Sequence, residues 1–215
     1  MSDTPDDLPA AAPADSAPPS AVRKRPKPGE RRIQILQTLA AMLEHPGAER
    51  ITTAALAAQL QVSEAALYRH FASKAQMFEG LIEFIESSVF TLVNQIVERE
   101  PSAAAQVQKI ATLVLQFGEK NPGMARVMVG DALVFEHERL NARMNQFFDR
   151  VESQLRQCLR VAAESVGSAT PTVDAAALAS ALVSLITGRL QRYARSGFKR
   201  APTEHLDAAL ARLTP

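Results

Sequence analysis

Between Ile51 and Lys74 the chain reads ITTAALAAQLQVSEAALYRHFASK, and its polar side chains are of a narrow kind. Thr52, Thr53, Ser63 and Tyr68 carry hydroxyls, Arg69, His70 and Lys74 carry nitrogen donors, and Glu64 carries a carboxylate. Hydroxyls and cations donate to phosphate oxygens, Arg pairs with guanine, Glu accepts from a cytosine amino group, and the methyls of Ala65 and Ala66 suit a thymine methyl. Nucleophilic chemistry is not what these residues offer. The chain has four histidines, and His137, between Glu136 and Glu138, is the one with a carboxylate on both sides. No His-Glu-x-x-His, glycine-rich phosphate loop or nucleophile elbow accompanies it. No catalytic residue, metal ligand or cofactor is therefore expected, and His137 reads as part of a charged helix face.

Such donors act together only if the backbone holds them on one surface. Thr52 and Ser63 precede short apolar segments as N-caps, predicting helices over 53–60 and 64–69. A very short turn joins them, and Ala54, Ala55, Ala57 and Ala58 allow the close, steep crossing of a helix-turn-helix. Leu56, Leu60, Val62, Leu67 and Phe71 are spaced to fill a small core with Leu36 and Leu39 of a preceding helix over 31–44, whose face is Ile33, Leu36, Leu39, Ala40 and Leu43. Pro46 and Gly47 should end that helix. The outer side of the 64–69 helix is then free to enter a groove, with Thr52, Thr53, Tyr68, His70 and Lys74 placed for phosphates and Ser63, Glu64, Ala65, Ala66 and Arg69 for base edges.

Ser73-Lys74-Ala75-Gln76 has the form of a capping box. It opens a long helix to about Arg99, marked by Met77, Leu81, Ile85, Val89, Leu92 and Ile96, with Met77, Leu81, Ile85 and Leu92 on one stripe, Phe84 at its edge and Phe90 nearly opposite. Further helices are predicted over 102–121, briefly after Pro122, from about 135 to 166, over 172–195 and over 203–213. No segment alternates as a half-buried strand would, so the fold class is all-α.

The 215 residues allow two lobes at most, with 47% hydrophobic residues and no uninterrupted apolar run of bilayer length. Residues 1–29, rich in Pro, Ala and Asp, lack the apolar side chains to offset ordering and should be disordered. Their acidic start gives no leader sequence, so a cytoplasmic location is expected. The lone Cys158 has no disulfide partner. A net charge of +1 conceals a segregation: Asp3, Asp6, Asp7 and Asp15 give way to Arg23, Lys24, Arg25, Lys27, Arg31 and Arg32. That basic arm can reach DNA phosphates or serve as a solvated linker.

Tyr68, Phe71 and Lys74 stand in the Tyr-x-x-Phe-x-x-Lys pattern that ends the recognition helix in the TetR family, which this stretch resembles. The resemblance implies a DNA-binding domain over 30–74 and a helical dimerisation and partner-binding domain over 75–215. RITTAALAAQL, VSEAALYRHF, LIEFIE, FGEKNPG and FKRAPT extend the likeness, from about Arg31 onward, to the family's nucleoid occlusion members. Those members bind palindromic chromosomal sites as dimers, and their DNA-bound form engages the C-terminal tail of the division protein FtsZ, blocking septum formation over the nucleoid.

The resemblance places the FtsZ-tail site at Phe84, Leu113, Lys120 and Asn121, between the fourth and fifth helices. Lys120 stands where an Arg is common, keeping the charge and losing the planar fork. The bare pattern at Lys120-Asn121 equally suits a helix C-terminus. Gln61 stands at a turn position where Gly is frequent; a left-handed backbone there would be strained by roughly 1 kcal/mol. Small residues Ala181, Ser184 and Gly188 among Leu178, Leu182, Leu185 and Ile186 suit the family's two-fold dimer helix. The rival reading within the same fold is a ligand-responsive repressor, disfavoured by the absence of Trp and the presence of two Tyr to line a pocket.

Overall fold

A computed structural model describes residues 29–45 and 50–214. The tail over 1–28, most of the basic arm, and Pro46 and Gly47 lie outside the described residues. Among the described residues the helices are α1 (Glu30–Leu43), α2 (Thr53–Leu60), α3 (Glu64–Tyr68), α4 (Lys74–Arg99), α5 (Ala103–Lys120), α6 (Pro122–Met128), α7 (Glu138–Ser165), α8 (Pro171–Arg195) and α9 (Leu206–Leu213), with a 3-10 turn at Asp131–Leu133. All regular elements among the described residues are helical, as the periodicity predicts.

Helix α1 packs on α2, α4 and α6, α2 packs on α3, and α4, α5, α7 and α8 form the larger bundle. One continuous apolar core runs through both ends: Ile35, Leu39, Leu56, Leu67 and Phe71 join Met77, Phe78, Leu81 and Ile85, and these join Val114, Phe147, Leu155 and Ile186. Two sequence-derived faces shift. α1 buries Ile35, Leu39 and Leu43 and leaves Ile33 57% exposed, because Ile35 shares the Leu39–Leu43 side. On α4 the buried line drifts from Met77 and Leu81 to Val89 and Val93, so Leu92 is left 42% exposed.

Helices α4 and α8 contain stretches of mean hydropathy 1.3 and 1.5, long and apolar enough to cross a bilayer by length and composition. In α4 part of that apolarity, from Met77 to Val93, goes into the core described above, while Phe84 and Leu92 stay exposed. In α8, Ala175, Ala179, Leu182, Ile186 and Leu190 pack inward, while Ala181, Ser184 and Gly188 lie exposed on the other side.

Helix α7 begins at Glu138 rather than near Phe135, because the 3-10 turn and its exposed successors Val134 and Phe135 intervene. His137 is the N-cap, its Nδ1 accepting from the Arg139 backbone N–H at 3.2 Å, which accounts for an imidazole between carboxylates. Arg139–Glu79 at 2.8 Å and Arg143–Glu86 at 2.6 Å fasten α7 along α4. Phe90 stacks edge-on to Phe147 at 5.5 Å beneath the Arg150 guanidinium, so it covers a neighbouring helix. Helix α9 starts at Leu206, three residues later than predicted, since His205 takes a left-handed backbone with φ 51°.

Candidate nucleic-acid interface

Each cap predicted in the helix-turn-helix forms. The Thr52 hydroxyl accepts from Ala55 N–H at 3.1 Å, and the Ser63 hydroxyl accepts from Ala66 N–H at 3.3 Å. Both oxygens keep an O–H that can still donate. Gln61 closes α2 in the left-handed region, φ 55° and ψ 47°, with Val62 N–H returning to Ala57 O at 3.0 Å. The turn therefore adopts the glycine-favouring geometry with a side chain present.

Leu56, Leu67 and Phe71 are each 1% exposed, so α3 is anchored along one side. Ser63, Glu64, Ala65, Tyr68, Arg69 and His70 are exposed and Ala66 is half-buried. This is the division of faces a groove-entering helix needs. Thr53 and Glu64 are brought together: the Thr53 hydroxyl donates to the Glu64 carboxylate at 2.5 Å, linking the first turns of α2 and α3. Glu64 thus already holds one donor on its acceptor oxygens.

Arg32 does something sequence reasoning did not assign. Its guanidinium donates to the His70 carbonyl at 2.9 Å and lies 4.1 Å from the centre of the Phe71 ring, so it caps the C-terminal end of the recognition helix. The run RR at the start of α1 was legible as basic, but its target thirty-eight residues away was not. The Ser73 hydroxyl accepts from Gln76 N–H at 3.2 Å, while the Gln76 amide oxygen accepts from Ala72 N–H at 2.8 Å, one residue before the position a reciprocal box would use. Lys74, expected at a phosphate, pairs with Glu136 and faces the Phe78 ring.

A second surface lies between α4 and α5. Phe84 is 48% exposed, with its ring 6.4 Å from that of Phe117 and tilted by 42°. Phe117 went unassigned in the sequence, although it lies four residues after Leu113 and four before Asn121, the spacing of one helix face. Leu113 is half-buried against the core, and Lys120 is exposed. The Asn121 amide donates to the Phe117 carbonyl at 2.8 Å and so closes α5, the ordinary C-terminal role. Nearby, the Tyr193 hydroxyl donates to the Glu119 carbonyl at 3.0 Å. Burial, with the Glu119 and Glu44 charges, raises that phenol's pKa above its usual value and keeps it a donor.

Residues 35–81 match the family described as bacterial regulatory proteins, tetR family, and residues 102–214 match a tetracyclin repressor-like C-terminal domain of SlmA-like type. The nucleoid occlusion factor SlmA of Photobacterium profundum is 53% identical over 182 residues, covering 84% of this chain and 92% of that protein. SlmA of a Marinomonas species is 54% identical over 178 residues, covering 83% and 90%. Among solved structures, the TetR-family regulator PfmR of Thermus thermophilus superposes with a TM-score of 0.67 at 21% identity, covering 84% of this chain and 96% of that one. The Bacillus subtilis regulator FadR, solved with stearoyl-CoA, gives 0.66 at 14%, again covering 84% and 96%. These two show the fold alone. With an exposed, capped recognition helix and relatives above half identity over most of its length, the chain belongs to the TetR family of DNA-binding regulators, not to an enzyme family, and within it to the nucleoid occlusion factors.

Proposed function

We propose that the protein binds palindromic chromosomal DNA as a homodimer and that its DNA-bound form holds the C-terminal tail of FtsZ in the α4–α5 groove, blocking septum formation over the nucleoid. On this reading it is a cytoplasmic protein that resides on the nucleoid, with residues 30–74 reading DNA and residues 75–215 dimerising and engaging the partner.

The observation that carries the partner site is Phe84, a large aromatic side chain 48% exposed beside Phe117, with the exposed Lys120 cation one turn beyond Phe117 on α5. An exposed aromatic pair rimmed by a cation suits a peptide with apolar and acidic side chains. Leu113, half-buried against the core one turn before Phe117, fits the floor of such a site, and Asn121 closes the helix end on which Lys120 stands. The dimer is supported by α8, whose exposed side carries Ala181, Ser184 and Gly188, with Val161 of α7 46% exposed and Val173 66% exposed. Ser184 and Gly188 also line a cleft of about 490 Å³ with Arg192, Arg200 and His205, wide enough to seat side chains of a second copy.

The test is binding of an FtsZ tail peptide, by fluorescence anisotropy, to protein with and without a palindromic duplex. Saturable binding strengthened by the duplex and lost in Phe84→Ala is expected. A peptide that never binds, together with a metabolite that releases DNA, would establish the ligand-responsive repressor instead.

A further inference from the structure

Lys74 opens α4 one residue after the Ser73 cap, four residues beyond the exposed His70 at the end of the recognition helix. An ammonium there is well placed for a DNA phosphate, yet it is already engaged. Its partner, Glu136, belongs to a distant part of the chain: the loop between the 3-10 turn and α7, held by Glu136 N–H donating to Leu133 O at 3.0 Å. The two side chains are 22% and 10% exposed, so the pair is partly withdrawn from water. Other carboxylates on this side of the bundle, Glu79 and Glu86, have their own cations in Arg139 and Arg143.

A carboxylate and a phosphate present the same acceptor oxygens to a lysine, and one ammonium cannot serve both at full strength. We propose that Glu136 is an internal competitor for DNA: its carboxylate occupies the place of a backbone phosphate on Lys74, and a duplex must displace it. This rests on Lys74 being a phosphate contact. Displacement leaves a sheltered carboxylate without its cation, which is unfavourable until the loop turns it to water. That loop carries Val134 and Phe135, 66% and 64% exposed, so the phosphate contact at one end of the molecule is coupled to an apolar loop at the start of α7.

The experiment measures affinity for a mixed-sequence duplex across a salt series for wild type, Glu136→Gln, Lys74→Ala and the double variant, with Glu79→Gln as a control for the change in net charge. Glu136→Gln is expected to bind about three- to fivefold more tightly at low salt, the range of a partly exposed ion pair. The gain should fade as salt rises and vanish in the Lys74→Ala background. No gain from Glu136→Gln, or an equal gain with Lys74 removed or from Glu79→Gln, overturns the proposal. Unchanged affinity in Lys74→Ala removes the phosphate contact itself, a separate failure. Amide exchange over residues 134–138 of the wild-type protein gives a reading independent of any variant. Faster exchange on adding duplex supports displacement, and unchanged exchange overturns it.

Discussion

Gly123 lies directly against the backbone carbonyl of Ala40: a β-carbon at position 123 would stand 2.1 Å from that oxygen and 3.3 Å from Leu43 Cβ. Helix α6 therefore touches α1 backbone to backbone. Arg126, one turn later and 8% exposed, donates to the Leu43 carbonyl at 3.2 Å and pairs with Asp131 at 2.6 Å. The DNA-reading helices and the larger helical bundle are thus joined by a close approach and by a buried cation on the last carbonyl of α1.

Gly123→Ala should consequently lower stability by about 2–3 kcal/mol, the cost of overpacking where backbone rather than a side chain must move. Chemical denaturation of the variant checks this. A midpoint unchanged from wild type would mean that α6 can retreat from α1 freely.

The caps of α2 and α3 and their intervening turn were legible because each depends on residues adjacent in sequence: Thr52 reaches Ala55, Ser63 reaches Ala66, and Gln61 closes a helix whose last turn is its own. Long-range pairings were not. Nothing near Lys74 points to Glu136, and nothing near Arg32 points to the His70 carbonyl, since side chains of like charge are interchangeable until the chain is folded. Ile33 and Leu92 misled for a related reason. An ideal helical wheel cannot tell which edge of an apolar stripe a neighbouring helix covers, and the buried line on a long helix drifts.

The left-handed Gln61 gives a stability prediction of opposite sign. Gln61→Gly removes the clash of a β-carbon in that region, worth about 1–2 kcal/mol, but adds flexibility to the unfolded chain, costing roughly 0.5–1 kcal/mol. A net gain of about 0.5–1 kcal/mol in thermal or denaturant unfolding is expected. A loss would show that the Gln61 side chain contributes more than its backbone costs.

Recognition-helix variants should divide by role. Thr52→Ala loses the α2 cap, about 1 kcal/mol of stability, and a phosphate donor, so it should weaken all duplexes. Arg69→Ala leaves every cap intact and should relax preference at one base position. Binding to a panel of single-base operator variants separates the two. Uniform weakening by Arg69→Ala would move that residue from the base edges to the backbone.

Gly188 offers the complementary case to Gly123. It lies in α8, and a β-carbon built on it meets nothing within 4 Å. Within one subunit, Gly188→Ala should therefore stabilise the helix by roughly 1 kcal/mol, the propensity difference between the two residues. If the exposed α8 side with Ala181 and Ser184 is where two copies meet, a larger side chain there must enter the space the second helix occupies. Gly188→Leu should then shift the protein toward monomer in sedimentation equilibrium while its helical circular dichroism is retained, and palindromic DNA should be bound more weakly than by wild type at equal subunit concentration, because two linked reading heads no longer share one site. A Gly188→Leu protein that remains fully dimeric would place the contact between copies on another face.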